Sequence, residues 1–515
     1  MIILRHNTLS AEDLFLIERI MRKVAEAPHE QHSLEYSLLN KSRGEVYGFI
    51  AGVFKRLGIC QALGITISDF LDFLIDIEKG YNDNPYHSFY HAVDVAMVLN
   101  HMMVQYDMSQ YITKIDLALI MIAALCHDIG HPGKNNQFEV ACKTERAKKY
   151  HNLSVLECHS SALTLELIDK HHLFRHIESS SESAGVPLTE EEAKVFTIKM
   201  ILATDMVCHF TLKDNITILH EKIDNLKEQM QVSEAFQNTV SIAKQERTLL
   251  PIFPEEKGPN PFNYFAENYF HTDKVPCLAH GEKVLLGGEE RLMMCKILIH
   301  AADISNPCRP WPVFYQQSSL VCVEFFRQGE EELRLGLPVS PNMNPSEANP
   351  SSINVGFIDF IVQPYFEALA SLFPKSKELV VQCGQNKKEW LKLSSQRLDI
   401  LRNTLMPIEV ALGPMCPIHH VTNAAGTVQI PDKFGKDIRN KLRRQSLKPT
   451  TTGTNWLVAV DEKKRLKLRR KSEEISLLHH RNPRSISSIT KSRRKSDETS
   501  VYLNHPKMVS LSGYE

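Results

Sequence analysis

The sequence predicts an all-α domain over residues 1–414, followed by a disordered basic tail over residues 415–515. Apolar residues recur every three or four positions through most of the first 414 residues, which is the spacing of amphipathic helices. The apolar–polar alternation and hairpin turn signals that mark strands are scarce there. After Pro414 the composition changes to Thr, Gly and Ser with basic clusters, so we expect the packed core to end near that point.

Individual helices are predicted from their caps and their apolar spacing. Ser10-x-x-Asp13 is typical of a capping box, and helical spacing continues behind it to Val24. Apolar helical faces follow at 69–77, 93–103 and 115–126. One more amphipathic helix is predicted by apolar residues three and four positions apart, which are Ile216, Leu219, Ile223, Leu226 and Met230. By contrast, residues 251–288 are rich in Pro, Gly, Asn and charge, and we expect an extended surface loop there.

Composition indicates a chain of the reducing cytoplasm with a large core. Hydrophobic residues make up 43% of the 515 positions. Eleven cysteines are scattered without a Cys-x-x-Cys pair, so neither a disulfide framework nor a zinc ribbon is indicated. The longest strongly apolar run, 115–126, is shorter than the ~18 residues that a membrane span needs. The N-terminus lacks a charged leader and a long apolar core. We therefore expect a cytoplasmic protein without a transmembrane segment.

Histidine and aspartate side chains of metal-ligand type stand at three places where apolar runs begin or end. His127-Asp128 follows the apolar run 115–126. In the same way, His300-Ala301-Ala302-Asp303 follows the apolar stretch 292–299. His91 opens the helix predicted over 93–103. Adjacent His and Asp residues can flank one ion while the carboxylate bridges to a second. The order of His91, the dipeptide His127-Asp128 and the remote Asp303 resembles the ligand order of the HD-type phosphohydrolases, and this resemblance implies a two-metal cluster held by these four residues.

Two further histidines are expected to share helix faces with these ligands. His87 lies four residues before His91, and His131 lies four residues after His127, so each pair is expected to project together from one helix. The chain has 23 histidines, and most single histidines are surface or core residues without a ligand role. We assign the pairs 171–172, 419–420 and 479–480 to that ordinary class.

Six motifs in order along the chain carry a family resemblance. They are Tyr86-His87-x-x-x-His91-Ala92, His127-Asp128-x-x-His131-x-Gly133-x-x-Asn136, Ser154-Val155-Leu156-Glu157, Ile201-Leu202-Ala203-Thr204-Asp205-Met206, Ala302-Asp303-Ile304-Ser305-Asn306-Pro307 and Val355-Gly356-Phe357-Ile358-Asp359. Over residues 69–373 the chain closely resembles the class I cyclic-nucleotide phosphodiesterases, which are HD-type metallophosphohydrolases. The run from Asn306 to Pro310 is similar to that of the seventh and eighth mammalian families, which are both cAMP-specific.

This resemblance implies a mechanism and a cofactor set. In the family, the residues matching His91, His127, Asp128 and Asp303 hold Zn²⁺, and the residue matching Asp128 also touches a second ion, Mg²⁺ or Mn²⁺. A hydroxide bridging the two ions attacks the phosphorus of a 3′,5′-cyclic phosphate. The residue matching His87 is the general acid that protonates the leaving 3′ oxygen. The expected reaction converts cAMP, in preference to cGMP, into 5′-AMP and ends cyclic-nucleotide signalling.

The resemblance also assigns supporting and substrate-binding residues. His131, Glu157, Thr204 and Asp205 match positions that orient metal-bound water or a neighbouring histidine, and Glu157 is expected to have a cationic partner. Five positions match the substrate pocket: Tyr86, Asn306, Val321, Asn354 and Phe357. Of these, Phe357 matches the aromatic that stacks on the purine, and Val321 matches the aliphatic residue opposite it. Asn306 matches an asparagine of cAMP-selective relatives.

The sequence departs from the family at the purine-binding amide. The family has glutamine three residues before the stacking aromatic, whereas this chain has Asn354, which is shorter by one methylene. Selectivity between cAMP and cGMP therefore stays open. Asp205 and Asp303 are separated by 97 residues, about twice the expected length, which indicates an insertion over 215–288.

Two other functions stay open at this level. One is hydrolysis of another nucleotide by the same HD-type centre, in which case Asn306 and Phe357 would be incidental. The other is a non-catalytic cyclic-nucleotide sensor or scaffold, against which the intact His87 and metal ligands argue. The oligomeric state, including a homo-oligomer, is equally open.

The tail carries a charge pattern of its own. Residues 432–515 hold 21 Lys and Arg against 9 Asp and Glu, so residues 1–431 total −13. Three Arg-Arg-x-Ser sequences resemble sites for cAMP-dependent protein kinase and end at Ser446, Ser472 and Ser496. Each phosphate would add about −1.5 to −2 charges and change how a basic cluster docks on an acidic domain. Aromatic residues that stack on single strands are rare in the tail, and no nucleic-acid partner is expected.

Kinase control of the tail predicts a simple result. Replacing Ser446, Ser472 and Ser496 together with alanine is expected to abolish any change in activity caused by cAMP-dependent protein kinase, because no phosphate can then neutralise the basic clusters. Activity assayed before and after kinase treatment provides the measurement. Regulation that persists in the triple variant would contradict the hypothesis.

Overall fold

The structure is a computed structural model that describes residues 2–26, 34–237, 259–270 and 286–394. Within these ranges the chain forms α-helices and short helical turns and contains no β-strand, which confirms the all-α expectation. The tail over 415–515, with Ser446, Ser472 and Ser496, lies outside the described residues, so its disorder and its phosphorylation stay predictions. The domain boundary at 414 stays a prediction as well.

Eighteen α-helices occur in the described ranges. They are α1 (Ala11–Glu26), α2 (Arg43–Leu57), α3 (Ile59–Ala62), α4 (Ile67–Gly80), α5 (Phe89–Gln105), α6 (Lys114–Cys126), α7 (Asn136–Ala141), α8 (Glu145–Lys149), α9 (Val155–His171), α10 (Ile177–Ser183), α11 (Glu190–Leu202), α12 (His209–Gln237), α13 (Phe262–Asn268), α14 (Gly288–Asp303), α15 (Trp311–Leu335), α16 (Pro350–Phe357), α17 (Gln363–Leu372) and α18 (Lys377–Ser394). Short 3₁₀ turns cover Met108–Tyr111, Met206–Cys208, Asn306–Cys308 and Pro374–Ser376, and a π turn over Ile358–Val362 joins α16 to α17.

Side-chain caps fix where several helices begin. The predicted cap of α1 is present, since the Asp13 amide donates to the Ser10 hydroxyl at 3.0 Å. Full capping boxes also open α2, α4, α6 and α11. At α6 the hydroxyl of Thr113 accepts from the Asp116 amide, and the Asp116 carboxylate accepts from the Thr113 amide. Such caps stabilise a helix by about 1 kcal/mol each.

Helix α6 lies at the centre of the core, because every residue over 115–126 is buried. It packs against α5, α9, α11 and α14. Asp116 also accepts from the fully buried guanidinium of Arg291 on α14 at 2.8 Å. A second buried ion pair joins α5 to the turn after α14, where Arg309 donates to both carboxylate oxygens of Asp94 at 2.7 Å. These pairs hold together the three helices that were predicted to carry metal ligands.

From α12 to α14, one prediction is confirmed and another is wrong. The amphipathic helix is present as part of α12, and Ile216, Leu219 and Ile223 are fully buried. The extended loop predicted over 251–288 is wrong at Phe262–Asn268, which is helix α13 and buries Phe265 completely. Its aromatic residues supply an apolar face that the surrounding Pro, Gly and Asn residues conceal in the composition. Whether 215–288 is an insertion stays a prediction.

One helical run in the described part of the chain is long and apolar enough to cross a membrane by length and composition, Pro350–Leu372. The bent pair Glu190–Leu202 and Met206–Gln229 passes the same test as a unit. In the first run Tyr365, Phe366 and Leu369 are fully buried, and the Tyr365 hydroxyl donates to the Ile297 carbonyl on α14 at 3.0 Å. One face of this run thus packs inside the domain, while 33% of its apolar window as a whole is buried. The expectation of no transmembrane segment stays a prediction.

Candidate active site and metal centre

Three helices bring four predicted ligands together. His91 lies in the first turn of α5, His127 and Asp128 directly follow α6, and Asp303 ends α14. The Nε2 atom of His91 lies 3.0 Å from Oδ1 of Asp303 and 3.7 Å from Oδ2 of Asp128. The Nε2 atom of His127 lies 3.3 Å and 3.2 Å from the same two oxygens. Two nitrogens and two carboxylate oxygens thus face one point.

The second ring nitrogen of His127 determines what its Nε2 can do. Its Nδ1 lies 2.9 Å from the Ala124 carbonyl, an acceptor, so Nδ1 carries the hydrogen and donates it. In the neutral imidazole Nε2 then holds a lone pair. This buried Nε2 makes no hydrogen bond within the described residues. Metal-ligating histidines show the same division, with one nitrogen toward the ion and the other toward a carbonyl or carboxylate. The N₂O₂ donor set therefore fits a divalent cation of the zinc class.

Charge balance at this cluster couples metal binding to protons. Burial would lower the pKa of His127, but the carboxylates of Asp128 and Asp303 raise it well above the usual range. Burial conversely would raise the pKa of Asp128, and the neighbouring imidazole of His127 lowers it. A divalent cation and a proton on His127 both neutralise the same two carboxylates, so they compete for the cluster.

The helical spacing argument is wrong for His131 and His87. Helix α6 ends at Cys126, residues 127–130 form a turn, and Gly130 adopts a positive φ of 79°. His131 therefore does not lie on the helix face of His127. In the same way, α5 begins at Phe89, so His87 precedes the helix that carries His91. The rings of His87 and His91 are nearly perpendicular, with their centroids 5.7 Å apart.

His87 is held by Glu324, a residue that the sequence analysis did not single out. Nδ1 of His87 makes a short hydrogen bond to Oε1 of Glu324 on α15. The other carboxylate oxygen accepts from the backbone amides of Tyr86 and His87, both at 3.1 Å. Burial would lower the pKa of His87, but the Glu324 carboxylate outweighs it and raises that pKa to about 9. His87 is therefore an imidazolium near neutral pH, with Nε2–H as its remaining donor.

The loop before α5 is tied to the turn after α6 around His131. The amides of Asn82 and Asn84 donate to the His131 carbonyl at 2.8 and 2.7 Å. Its ring lies 4.2 Å from that of His87, and its Nδ1 accepts from the Gly133 amide at 3.1 Å. Burial, followed by the charge of His87, lowers the pKa of His131 to about 4. His131 is thus a neutral ring packed against a charged one.

Glu157 and Asp205 form a second, carboxylate-rich part of the site. The Asn136 amide donates to Glu157 at 2.9 Å. Burial, with the added charge of Asp205, raises the pKa of Glu157 well above its usual range. No cationic side chain among the described residues forms an ion pair with Glu157. The prediction of a cationic partner is therefore wrong as far as these side chains are concerned. Thr204 is buried beside Asp205, and its hydroxyl donates to the Ile201 carbonyl at 2.8 Å.

The predicted substrate-binding residues come from four elements. The ring of Tyr86 lies 4.5 Å from that of His91, which places it at the metal centre. Asn306 is buried in the turn after α14, and its Oδ1 has no hydrogen-bond partner within the described residues. Asn354 is buried on α16 and donates to the Pro350 carbonyl at 2.8 Å, which holds its amide against its own helix. Val321 is half-buried on α15.

Phe357 ends α16 at the point where the π turn Ile358–Val362 begins. It is half-buried and packs against the core. Phe360, inside the π turn, is 61% exposed. A π turn inserts one residue into a helix and is frequent at functional sites. It rotates the side chains that follow Phe357 relative to those that precede it, so this aromatic lies at a change of register.

The domain is all-helical, and its His–Asp cluster lies where three helices meet. This arrangement is typical of the metal centre of a metal-dependent hydrolase. Comparison with known proteins gives the family. The model of the 3′,5′-cyclic nucleotide phosphodiesterase family matches residues 86–383. The chain belongs to that family, whose members depend on metal ions.

Curated relatives match the same region at modest identity. The chain is 27% identical over 360 residues to the 3′,5′-cyclic-nucleotide phosphodiesterase regA of Dictyostelium discoideum, covering 69% of this chain and 37% of that protein. It is 29% identical over 329 residues to the human dual specificity calcium/calmodulin-dependent 3′,5′-cyclic nucleotide phosphodiesterase 1B, covering 63% and 48%. It is 26% identical over 339 residues to the human high affinity cGMP-specific 3′,5′-cyclic phosphodiesterase 9A, covering 66% and 46%. The chain thus spans less than half the length of these relatives.

Solved structures share the fold. The phosphodiesterase domain of the RhoPDE fusion protein from the choanoflagellate Salpingoeca rosetta superimposes with a TM-score of 0.54 at 24% identity, covering 73% of this chain and 98% of that one. The structure of LmjPDEB1 in complex with IBMX gives a TM-score of 0.55 at 20% identity, covering 76% and 100%. These likenesses confirm the phosphodiesterase fold.

The charge of Glu324 predicts a measurable change at His87. In the Glu324→Gln variant the pKa of His87 is expected to fall well below about 9, because a neutral amide cannot offset the burial that lowers it. NMR titration of the His87 ring in chelator-treated protein provides the measurement. Glu330→Gln removes an exposed charge from the same helix and should leave the pKa unchanged. Equal His87 pKa values in wild type and Glu324→Gln would contradict this assignment.

Proposed function

We propose that this chain is a 3′,5′-cyclic-nucleotide phosphodiesterase that hydrolyses cAMP in preference to cGMP with two bound divalent cations. One observation carries the proposal: His87, hydrogen-bonded through Nδ1 to Glu324, lies with its ring 5.7 Å from that of His91 in the four-residue cluster of predicted metal ligands. A cyclic phosphate ester requires both parts, because its phosphorus must accept a nucleophile while its 3′ oxygen accepts a proton. Family membership supports this substrate class.

The ligand sets divide between two cations. We propose that His91, His127, Asp128 and Asp303 hold Zn²⁺, since imidazole and carboxylate suit that ion. Glu157 and Asp205 supply only oxygen, a set that suits a hydrated Mg²⁺ or Mn²⁺ near the shared carboxylate of Asp128. When bound, such a pair of cations polarises the phosphate and activates the attacking water.

The protein's own residues handle the leaving group. Glu324 occupies Nδ1 of His87, so the transferable proton is on Nε2. As the bond between phosphorus and the 3′ oxygen breaks, that proton passes to the oxygen, and the product leaves as a 5′-monophosphate. The two backbone amides held by the same glutamate fix the loop of Tyr86 and His87, which limits rotation of the acid. General acid catalysis of this kind contributes about 10² to 10⁴ in rate.

The preference for cAMP rests on Asn306. Its buried Oδ1 has no hydrogen-bond partner within the described residues, and a buried acceptor is stabilised by a donor. Adenine presents an amino donor at position 6, whereas guanine presents an oxygen acceptor there. Relatives of this chain include enzymes named as dual-specificity and as cGMP-specific, so the preference depends on this local chemistry and not on family membership.

Hydrolysis by the metal-loaded full-length chain tests the proposal. We expect cAMP to be converted to 5′-AMP, chelation to abolish turnover, and added Zn²⁺ with Mg²⁺ to restore it. His87→Ala should lower kcat about 10² to 10⁴-fold. His151→Asn provides a matched control, since His151 is exposed and has a positive φ of 54° that asparagine tolerates. Binding of cAMP without product, or full activity in His87→Ala, would refute the proposal.

Lengthening the side chain at position 354 is expected to improve recognition of the purine base. Asn354→Gln is expected to raise kcat/KM for cAMP about fivefold, because the amide extends by ~1.5 Å and completes a hydrogen bond worth about 1 kcal/mol. The ratio of kcat/KM for cAMP and cGMP, measured in both proteins, should exceed one in wild type. Ser352→Gln adds the same amide at an exposed position of α16 and should change neither value. A wild-type ratio below one would contradict the assignment of Asn306.

A further inference from the structure

A second group of metal-ligand side chains lies away from the candidate active site. His6 precedes α1, Asp72 lies on α4, and His171 is the last residue of α9. One potential ligand atom from each lies within 4.8 Å of the other two. The rings of His6 and His171 meet edge to face, with centroids 4.7 Å apart. Three separate parts of the chain therefore converge on one point at the surface of the domain.

Asp72 is a buried carboxylate that lacks a counter-charge from the protein. It is 2% exposed, and within the described residues no cationic side chain lies at ion-pair distance from it. Its oxygens accept from the backbone amides of Arg5 and His6, both at 2.9 Å, and from the side chain of Asn7 at 2.7 Å. All three donors are neutral. A carboxylate has about four acceptor positions, so one lone pair is left for a cation.

His171 is oriented as a metal ligand by a second carboxylate. Its Nε2 lies 2.8 Å from Oδ2 of Asp76, an acceptor, so Nε2 carries the hydrogen. In the neutral ring Nδ1 then holds the lone pair and is the nitrogen available to an ion. Asp76 is fixed in turn by Lys170 at 2.6 Å. A carboxylate behind a histidine is the usual outer arrangement of zinc sites, where it sets the ring orientation and raises the basicity of the ligand nitrogen.

The two adjacent histidines of this segment differ in a way that spacing cannot reveal. His171 is buried, whereas His172 is exposed and takes the left-handed conformation, with φ 47°, that ends α9. The sequence interpretation placed both in the ordinary class. Only the packing of α9 against α4 and the N-terminal segment separates His171 from that class.

We propose that His6, Asp72 and His171 form a second metal site, which takes a divalent cation of the zinc class and fixes the N-terminal segment to α4 and α9. Two imidazoles and one carboxylate are a common three-ligand zinc set, with water completing the coordination. The ion supplies the positive charge that buried Asp72 lacks. His6 is exposed, so the site is open to solvent on one side and can exchange its ion.

The site predicts one additional zinc per chain, apart from the catalytic centre. The full-length chain is stripped with chelator, loaded with Zn²⁺, passed through gel filtration and analysed for zinc by mass spectrometry. We expect His6→Ala to hold one zinc fewer than wild type. His172→Asn removes the neighbouring exposed imidazole and should hold as much zinc as wild type. Equal zinc content in His6→Ala and wild type, or a matching loss in His172→Asn, would overturn the proposal.

A background that disables the catalytic cluster separates the two sites. In Asp303→Ala the remaining zinc is expected to raise the thermal midpoint, and adding His6→Ala should remove both that zinc and the shift. Circular dichroism of the metal-free proteins checks that all variants are folded. If Asp303→Ala retains the same zinc content with and without His6→Ala, the proposed site does not exist. This outcome is independent of whether the chain hydrolyses cyclic nucleotides.

Discussion

The candidate site depends on holding two half-buried carboxylates, Asp128 and Asp303, around the same two imidazole nitrogens at the meeting of three helices. Two like charges that share the same neighbours repel each other where water is largely excluded, so imidazoles or cations between them stabilise the arrangement. The helices must therefore be fixed by interactions outside the cluster. The Asp116–Arg291 pair ties α6 to α14, and the Asp94–Arg309 pair ties α5 to the turn that follows α14. Breaking a buried pair costs about 3–5 kcal/mol, so the cluster is held by elements that resist its own repulsion.

That these four side chains lie close together was predictable, because each stands at an abrupt change in the sequence. A buried apolar run that ends in His127-Asp128 leaves charged groups at a helix end, and the family resemblance supplied the distant Asp303. The partner of His87 was not predictable in this way. Glu324 lies 237 positions further along the chain, on a helix whose other acidic residues are exposed or paired elsewhere, and only tertiary packing selects it. Local spacing carries no information on a contact of that range.

Two other predictions were wrong for one physical reason. In each, a local sequence pattern was applied to residues beyond the point where it holds. The four-residue spacing of His127 and His131 means a shared face only while the helix continues, and Gly130 ends it with a positive φ. The composition of 251–288 indicates a loop, yet the aromatic residues of Phe262–Asn268 bury enough surface to form a seven-residue helix. Helices that short are stabilised by tertiary packing and not by propensity, so a single-sequence pattern cannot reveal them.

The residues proposed for catalysis and those proposed for base recognition are held in place by different kinds of structure. The four predicted metal ligands lie in or directly after helices that charged pairs join, and His87 is held by Glu324 of α15. Asn306 lies instead in a short 3₁₀ turn, and Phe357 lies where a helix changes register through a π turn. Small changes in such turns redirect a side chain without moving the helices, because the helix-to-helix pairs lie elsewhere. Under the proposed function, base preference is then set in these turns and not in the helices that carry the cluster; relatives named as cGMP-specific and as dual-specificity match the same region of the chain.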